Sequence, residues 1–275
     1  MKKRLVFFVY VDCAYRDCLI YDIHFANLSK YYKIFDAATI YFSLKEINED
    51  NMDIVRYLAK KIIDCGFIND VEIKIRKNTE IREVDCFKEE VISRIENNVP
   101  ELVFFTHTKG ISNVLNESLF KWICGMYYFN LNFIDEVNCF LVSKPIYDTA
   151  HRSGIFYGFP CLVSNIKNYI TSQVFYPGTI YWVNCSKAAQ YNRYFEIEPK
   201  NKYIYSTRCF AEEFPGDYFM GVVCQSHFMQ NKEEFSLYED FDKQMESIYS
   251  NNSYADKEGF DSYCNEIKDI VSLYF

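Results

Sequence analysis

A histidine, a threonine, a lysine and a glycine stand in a row at His107-Thr108-Lys109-Gly110, directly after the apolar run Glu101-Leu102-Val103-Phe104-Phe105. Imidazole, hydroxyl and ammonium groups in succession suit a phosphorylated or otherwise anionic ligand, and the glycine lets the backbone turn tightly and approach it. That chemistry requires the apolar run to be a buried strand that opens into a loop. Open α/β sheets bind ligands in the crevice beyond the carboxyl ends of their strands, which is where such a loop would sit.

The flanking sequence supplies the elements for such a sheet. Leu5 to Val11 reads as a strand, Ile20, Ile23, Leu28 and Tyr31 as a helical stripe, and Ala38 to Leu44 as a second strand. Met52, Val55, Ala59, Ile62 and Ile63 mark a helix that stops at Cys65-Gly66; Val71 to Ile75 is a third strand, and Val84, Phe87, Val91 and Ile95 lead at helical spacing into the strand before His107. Strand and helix in alternation predict an α/β fold, with a mostly parallel sheet covered by helices on both faces.

Beyond the loop, Glu117 to Val142 reads as one long helix with Trp122, Met126, Phe129, Phe133, Val137 and Phe140 on its core face. Residues 145 to 178, rich in Gly, Pro, Ser and Asn, read as loops, and Val174 to Val183 as a strand-like run broken at Pro177-Gly178. Tyr203 to Tyr205 and Tyr218 to Cys224 are shorter strand candidates. An acidic stretch after Gln230 holds one helix, and Phe260, Cys264, Ile267 and Val271 form a terminal amphipathic helix expected to dock on the rest. This divides the chain into a main domain over residues 1 to 228 and an extension over 229 to 275.

Composition narrows the function. With 275 residues, 49% of them hydrophobic and 25% charged, the chain can bury a full core. A net charge of −8 argues against a general nucleic-acid binder, which needs clustered Lys and Arg, while leaving room for a small anion held by two or three local cations. Met1 to Val11 is basic and then apolar, but the run ends at Asp12 without a small-residue cleavage site, so it is not read as a signal peptide. No stretch reaches the roughly 18 apolar residues of a membrane span, and a cytoplasmic protein is expected. The 11 cysteines are scattered without C-x-x-C spacing, and His24, His107, His151 and His227 are dispersed, so neither a disulfide framework nor a preformed metal cluster is expected.

Four segments in order resemble a group of bacterial glycosyltransferases that includes the rhamnan-synthesis F type domains. They are Phe105-Thr106-His107-Thr108-Lys109-Gly110, Trp122 with Met126, Gly178-Thr179-Ile180-Tyr181-Trp182, and Arg208-Cys209-Phe210-Ala211-Glu212-Glu213-Phe214-Pro215-Gly216. Ile123 stands where an Arg commonly follows the helix Trp in that group. The resemblance spans about residues 1 to 225 and implies a GT-A-like domain that moves a sugar from a nucleotide-sugar donor to a glycan or glycolipid acceptor of a surface polysaccharide or lipopolysaccharide. It would work in the cytoplasm, in peripheral contact with the inner face of the membrane.

The resemblance also implies roles. The place of the acidic D-x-D metal motif is taken by His107-Thr108-Lys109, so Lys109 and His107 would stabilise the departing diphosphate, with a divalent Mn or Mg left open. Thr108, Gly110, Asp12, Asn78 and Glu83 would hold the nucleotide, and Gly178, Thr179, Trp182 and Asp217 the sugars, Trp182 as a stacking platform. Glu212 would be the base that takes the acceptor proton, with Glu213 and Asp217 as rivals. A non-catalytic nucleotide-sugar or carbohydrate-binding module of the same fold is the alternative. No P-loop or dinucleotide fingerprint points to another nucleotide enzyme.

Overall fold

The computed structural model describes residues 1–15, 19–66, 70–79, 83–143, 154–158, 161–164, 173–175, 180–195, 224–225, 229–231, 241–251 and 256–272. Its first strand, β1 (Lys2–Val11), is rich in β-branched and aromatic residues that suit a pleated, two-sided core. It lies between β2 (Ala37–Leu44) and β4 (Glu101–His107), parallel to both, and β2 pairs in parallel with β3 (Val71–Lys77). Phe8 of β1 stands opposite His107, the last residue of β4, while β1 runs on to Val11 along β2.

The second half of the sheet departs from the expected parallel pattern. The chain crosses from β4 to β5 (Phe156–Gly158), and β8 (Tyr181–Asn184) then inserts between the two, antiparallel to each. With β9 (Cys224–Gln225) parallel on β5, the order is β3-β2-β1-β4-β8-β5-β9, a mixed sheet of seven strands. A smaller sheet is formed by β6 (Cys161–Ser164), β7 (Gln173–Phe175) and β10 (Met229–Asn231). The stretch 145 to 178, read as loops, thus contains three short strands; their apolar runs are too brief to stand out among Gly, Pro and Ser. Tyr203 to Tyr205 and most of Tyr218 to Cys224 lie outside the described residues.

Alternation along β1 divides the core in two. Leu5, Phe7, Val9 and Val11 face α1 (Leu19–Tyr31), α2 (Glu49–Asp64) and α5 (Glu117–Leu131); Val6 and Phe8 face the segment α3 (Glu83–Phe87), a π-helical turn (Lys88–Ile92) and α4 (Ser93–Glu96). The helix α7 (Cys185–Phe195) packs with α4 on this second face through Ala188, Ala189 and Tyr191. At the amino end of β4, Glu101 accepts hydrogen bonds from Arg4 Nε (3.0 Å) and Arg94 Nε (3.1 Å). Burial would raise its pKa, and the two guanidiniums reverse that and hold it below the usual carboxylate range.

The long helix expected over Glu117 to Val142 is interrupted. It begins at Asn116, whose side chain accepts the Leu119 N–H (2.8 Å), and ends at Leu131. The Trp182 indole N–H donates to the Asn130 carbonyl at 3.0 Å, occupying the acceptor that another turn of helix would need. A short helix, α6 (Ile134–Asn138), and a second π-helical turn (Cys139–Ser143) follow.

Downstream, α8 (Phe241–Asn251) and α9 (Lys257–Ser272) supply the expected helices. In α9, Phe260, Tyr263, Cys264, Ile267 and Val271 are buried against α1 and α5, with Phe260 stacked on Phe129 at 5.2 Å and Tyr263 donating to Asn27 Oδ1. Among the described residues, no helix is long and apolar enough to cross a membrane. Docking of α9 makes a direct prediction. Ile267→Ala should lower stability in urea by about 2–5 kcal/mol, the cost of a buried truncation. Lys268→Ala, which breaks an exposed ion pair with Glu117, should cost under about 1 kcal/mol. Equal, small effects would show that α9 does not pack as described.

Candidate functional site

After β1 the chain builds outward through β2 and β3, then returns to place β4 on the other side of β1. The reversal makes the carboxyl ends of β1 and β4 a topological switch point, the place where open α/β sheets leave a crevice. A cavity of about 270 Å³ opens there. One wall is the loop from His107 to Asn113; Tyr10, Tyr15 and Glu83 contribute to the rest.

The loop is fixed from both ends. Thr108 N–H donates to the Phe8 carbonyl (3.0 Å), and Thr108 Oγ1 accepts the Tyr10 N–H (3.1 Å), so a side chain extends the strand ladder past its last residue. Lys109 N–H turns back to the His107 carbonyl at 2.7 Å, and Asn113 N–H to that of Gly110 at 2.7 Å. Gly110 has φ +86°, a conformation that favours glycine, and a Cβ there would lie 2.8 Å from Leu119 Cδ1, so that side chain would have to shift. Lys109 Nζ sits 5.2 Å from the centre of the Trp122 ring, a cation–π placement against buried aromatic surface.

Beneath the loop lies a network that sequence reasoning missed. His24, fully buried on α1, contacts the Lys109 carbonyl through Nε2 (3.1 Å) and the Tyr127 hydroxyl through Nδ1 (2.8 Å); that hydroxyl is 3.3 Å from Thr106 Oγ1. The carbonyl can only accept, so Nε2 carries the proton, Nδ1 accepts from Tyr127, and Thr106 donates to Tyr127. Every proton in the chain is thereby assigned. Burial outweighs the carbonyl contact and pushes the His24 pKa down to about 4, which keeps the ring neutral. The signal was present in the spacing: His24 lies midway between Ile20 and Leu28, four residues from each, on the buried stripe. A polar residue there must find partners inside.

The structure brings together His107, Thr108, Lys109, Gly110 and Glu83 at the cavity. Glu83 is the first residue of α3 and nearly buried. Asp12 does not line the cavity. It pairs with Lys45 Nζ (2.9 Å) and accepts the Ala14 N–H (3.1 Å), closing the turn that ends β1; burial raises its pKa, and these contacts lower it below the ordinary value. Asn78 is likewise away from the cavity, accepting from Ser43 Oγ at 2.9 Å beyond the end of β3. Trp182 is no sugar platform. It is fully buried, packed 5.0 Å from Phe104 and 5.8 Å from Phe35 between centroids. Tyr181, its alternate on the strand, is equally buried, because helices cover both faces of β8. Glu212, Glu213, Asp217, Gly178 and Thr179 lie outside the described residues.

Among the described residues, no group of three or more His, Cys, Asp or Glu side chains could hold a metal ion. Comparison with protein-family models, with curated proteins and with solved structures finds no match for the chain.

The buried histidine gives stability a definite pH dependence. A folded pKa of about 4 against 6.5 in the unfolded chain means that unfolding takes up a proton between those values. The His24 contribution is complete above pH 6.5 and is lost as pH falls toward 4, a change of about 3 kcal/mol. Urea titrations at pH 7.5 and 4.5 should therefore show a larger acid loss in the wild type than in His24→Gln, which keeps a donor and an acceptor but does not titrate. Equal losses would contradict a buried, neutral His24.

Proposed function

We propose that this protein is a glycosyltransferase that takes a sugar from a nucleotide-sugar donor and passes it to a glycan or glycolipid acceptor in surface polysaccharide or lipopolysaccharide synthesis. The observation that carries the reading is the cavity at the β1–β4 switch point, with His107 and Lys109 on a glycine-turned loop along its wall. A diphosphate fits the chemistry of that wall, and the rings of Tyr10 and Tyr15 offer apolar surface to a base or sugar.

In the proposed reaction the acceptor hydroxyl attacks the anomeric carbon as the bond from that carbon to the diphosphate breaks. Negative charge grows on the departing phosphate, and the Lys109 ammonium and a His107 ring N–H stabilise it. Glu212 takes the hydroxyl proton, a role that rests on its sequence resemblance. Work at the inner face of the membrane, through the acceptor, belongs to the same proposal, as does a GT-A-like ancestry for the fold. A divalent ion, were one used, would supply further charge stabilisation to the diphosphate.

A panel of nucleotide sugars, screened by thermal shift with and without manganese and followed by donor hydrolysis, tests the proposal. One donor should stabilise the protein and be hydrolysed slowly. Lys109→Ala should then reduce turnover about 10²–10³-fold, the usual cost of losing a preorganised charge-stabilising group, without lowering the melting temperature by more than a few degrees. Glu212→Gln should abolish transfer to acceptor and leave donor binding intact. Stabilisation with no turnover under any acceptor would favour the binding module, and silence toward every nucleotide would sink both readings.

A further inference from the structure

We infer that His24 is a positioning residue for Lys109, and that the chain Thr106–Tyr127–His24 sets where the lysine side chain departs from the loop that walls the cavity. The inference deepens the proposed function and rests on it for the identity of the ligand. Its observations are independent of that reading. The Lys109 carbonyl is held by His24 Nε2 at 3.1 Å, while the same residue's side chain reaches the ring of Trp122, 5.2 Å from its centre. The carbonyl belongs to the peptide that joins Lys109 to Gly110, whose φ of +86° is the sharpest feature of the turn. A hydrogen bond to that oxygen fixes the plane of the peptide, and with it the direction in which the Lys109 side chain departs.

The bond has one sense because the Lys109 carbonyl can only accept. Nε2–H therefore points at the loop, and Nδ1 accepts a hydrogen bond from the Tyr127 hydroxyl. A change of tautomer would set a bare nitrogen against the carbonyl oxygen, and a flip of the ring would replace both nitrogens at their partners by carbon. The groups that face the imidazole are Phe7 from β1, Tyr127 from α5 and the Lys109 carbonyl, and none of them is charged. The ring thus acts as a neutral, one-way strut between the helix layer and the loop. Glutamine preserves one donor and one acceptor at nearly the right span; leucine preserves neither.

The test compares His24→Gln and His24→Leu with Lys109→Met and with Ile95→Ala, a core truncation toward the opposite end of β4. Two quantities are read: affinity for inorganic pyrophosphate by calorimetry, and emission of Trp122 in a Trp182→Phe background. His24→Leu should weaken pyrophosphate binding about tenfold or more, as a misplaced cation does, and shift Trp122 emission to that of Lys109→Met. His24→Gln should stay within about threefold of the wild type. Ile95→Ala should destabilise the fold yet leave affinity and emission unchanged, which separates positioning from general stability.

Wild-type affinity and emission in a folded His24→Leu would overturn the inference. If that variant does not fold, His24→Asn takes its place: it can still meet the Tyr127 hydroxyl but is too short to reach the Lys109 carbonyl, so binding should weaken measurably, and unchanged affinity would overturn the inference equally. If the wild type binds no pyrophosphate while His24→Leu still reproduces the Lys109→Met emission, the positioning role stands and the diphosphate reading falls.

Discussion

Everything at the cavity depends on the register in which β1 and β4 run as parallel neighbours. Phe8 opposite His107 marks where β4 stops beside β1, and Thr108 carries the pairing one step further by presenting a side-chain oxygen to the Tyr10 N–H. Because this pair is the point at which strand order reverses, no helix from either crossover can cover it. The loop after β4 is then free to turn at Gly110 and lay Lys109 over Trp122. A slip of one residue in the pairing would exchange the two faces of β4 and send His107 to the side now held by Thr106 and Tyr127.

That alternation explains the division of labour in Thr106-His107-Thr108. Thr106 points into the larger core cluster and joins the buried hydrogen-bond chain; His107, on the opposite face, reaches the cavity; Thr108 stays with the strand ends. Three neighbouring polar residues serve three different purposes, decided by geometry rather than by residue type. Hydrogen bonds in the interior compete with no water, so a fully satisfied chain such as Thr106–Tyr127–His24 specifies one arrangement more sharply than apolar packing alone.

Much of this was legible in the sequence. The first four strands and the helices between them are strongly patterned segments, and their periodicity found them; the loop at His107 was found because an apolar run ended abruptly in polar groups. Trp182 was misread for a physical reason. Alternation says that neighbours on a strand face opposite ways, but it cannot say that both sides are covered, as they are for β8. Asp12 was misread similarly: a carboxylate at a strand end can serve a ligand or close a turn, and the choice depends on Lys45, which follows another strand. His24 went unnoticed because its partners lie 85 and 103 residues away, and no local pattern reports them.

The docking of α9 carries a consequence for how the site is held. This helix holds Asn27 and packs on Tyr128, each close along its own helix to the His24 and Tyr127 that support the loop. Without Lys257–Ser272 the rear of α1 and α5, which Phe260, Tyr263 and Ile267 cover, would face water. The crevice residues, Phe8 to Asn113, thus share their support with a helix far downstream in sequence, and loosening that helix would be felt at the loop.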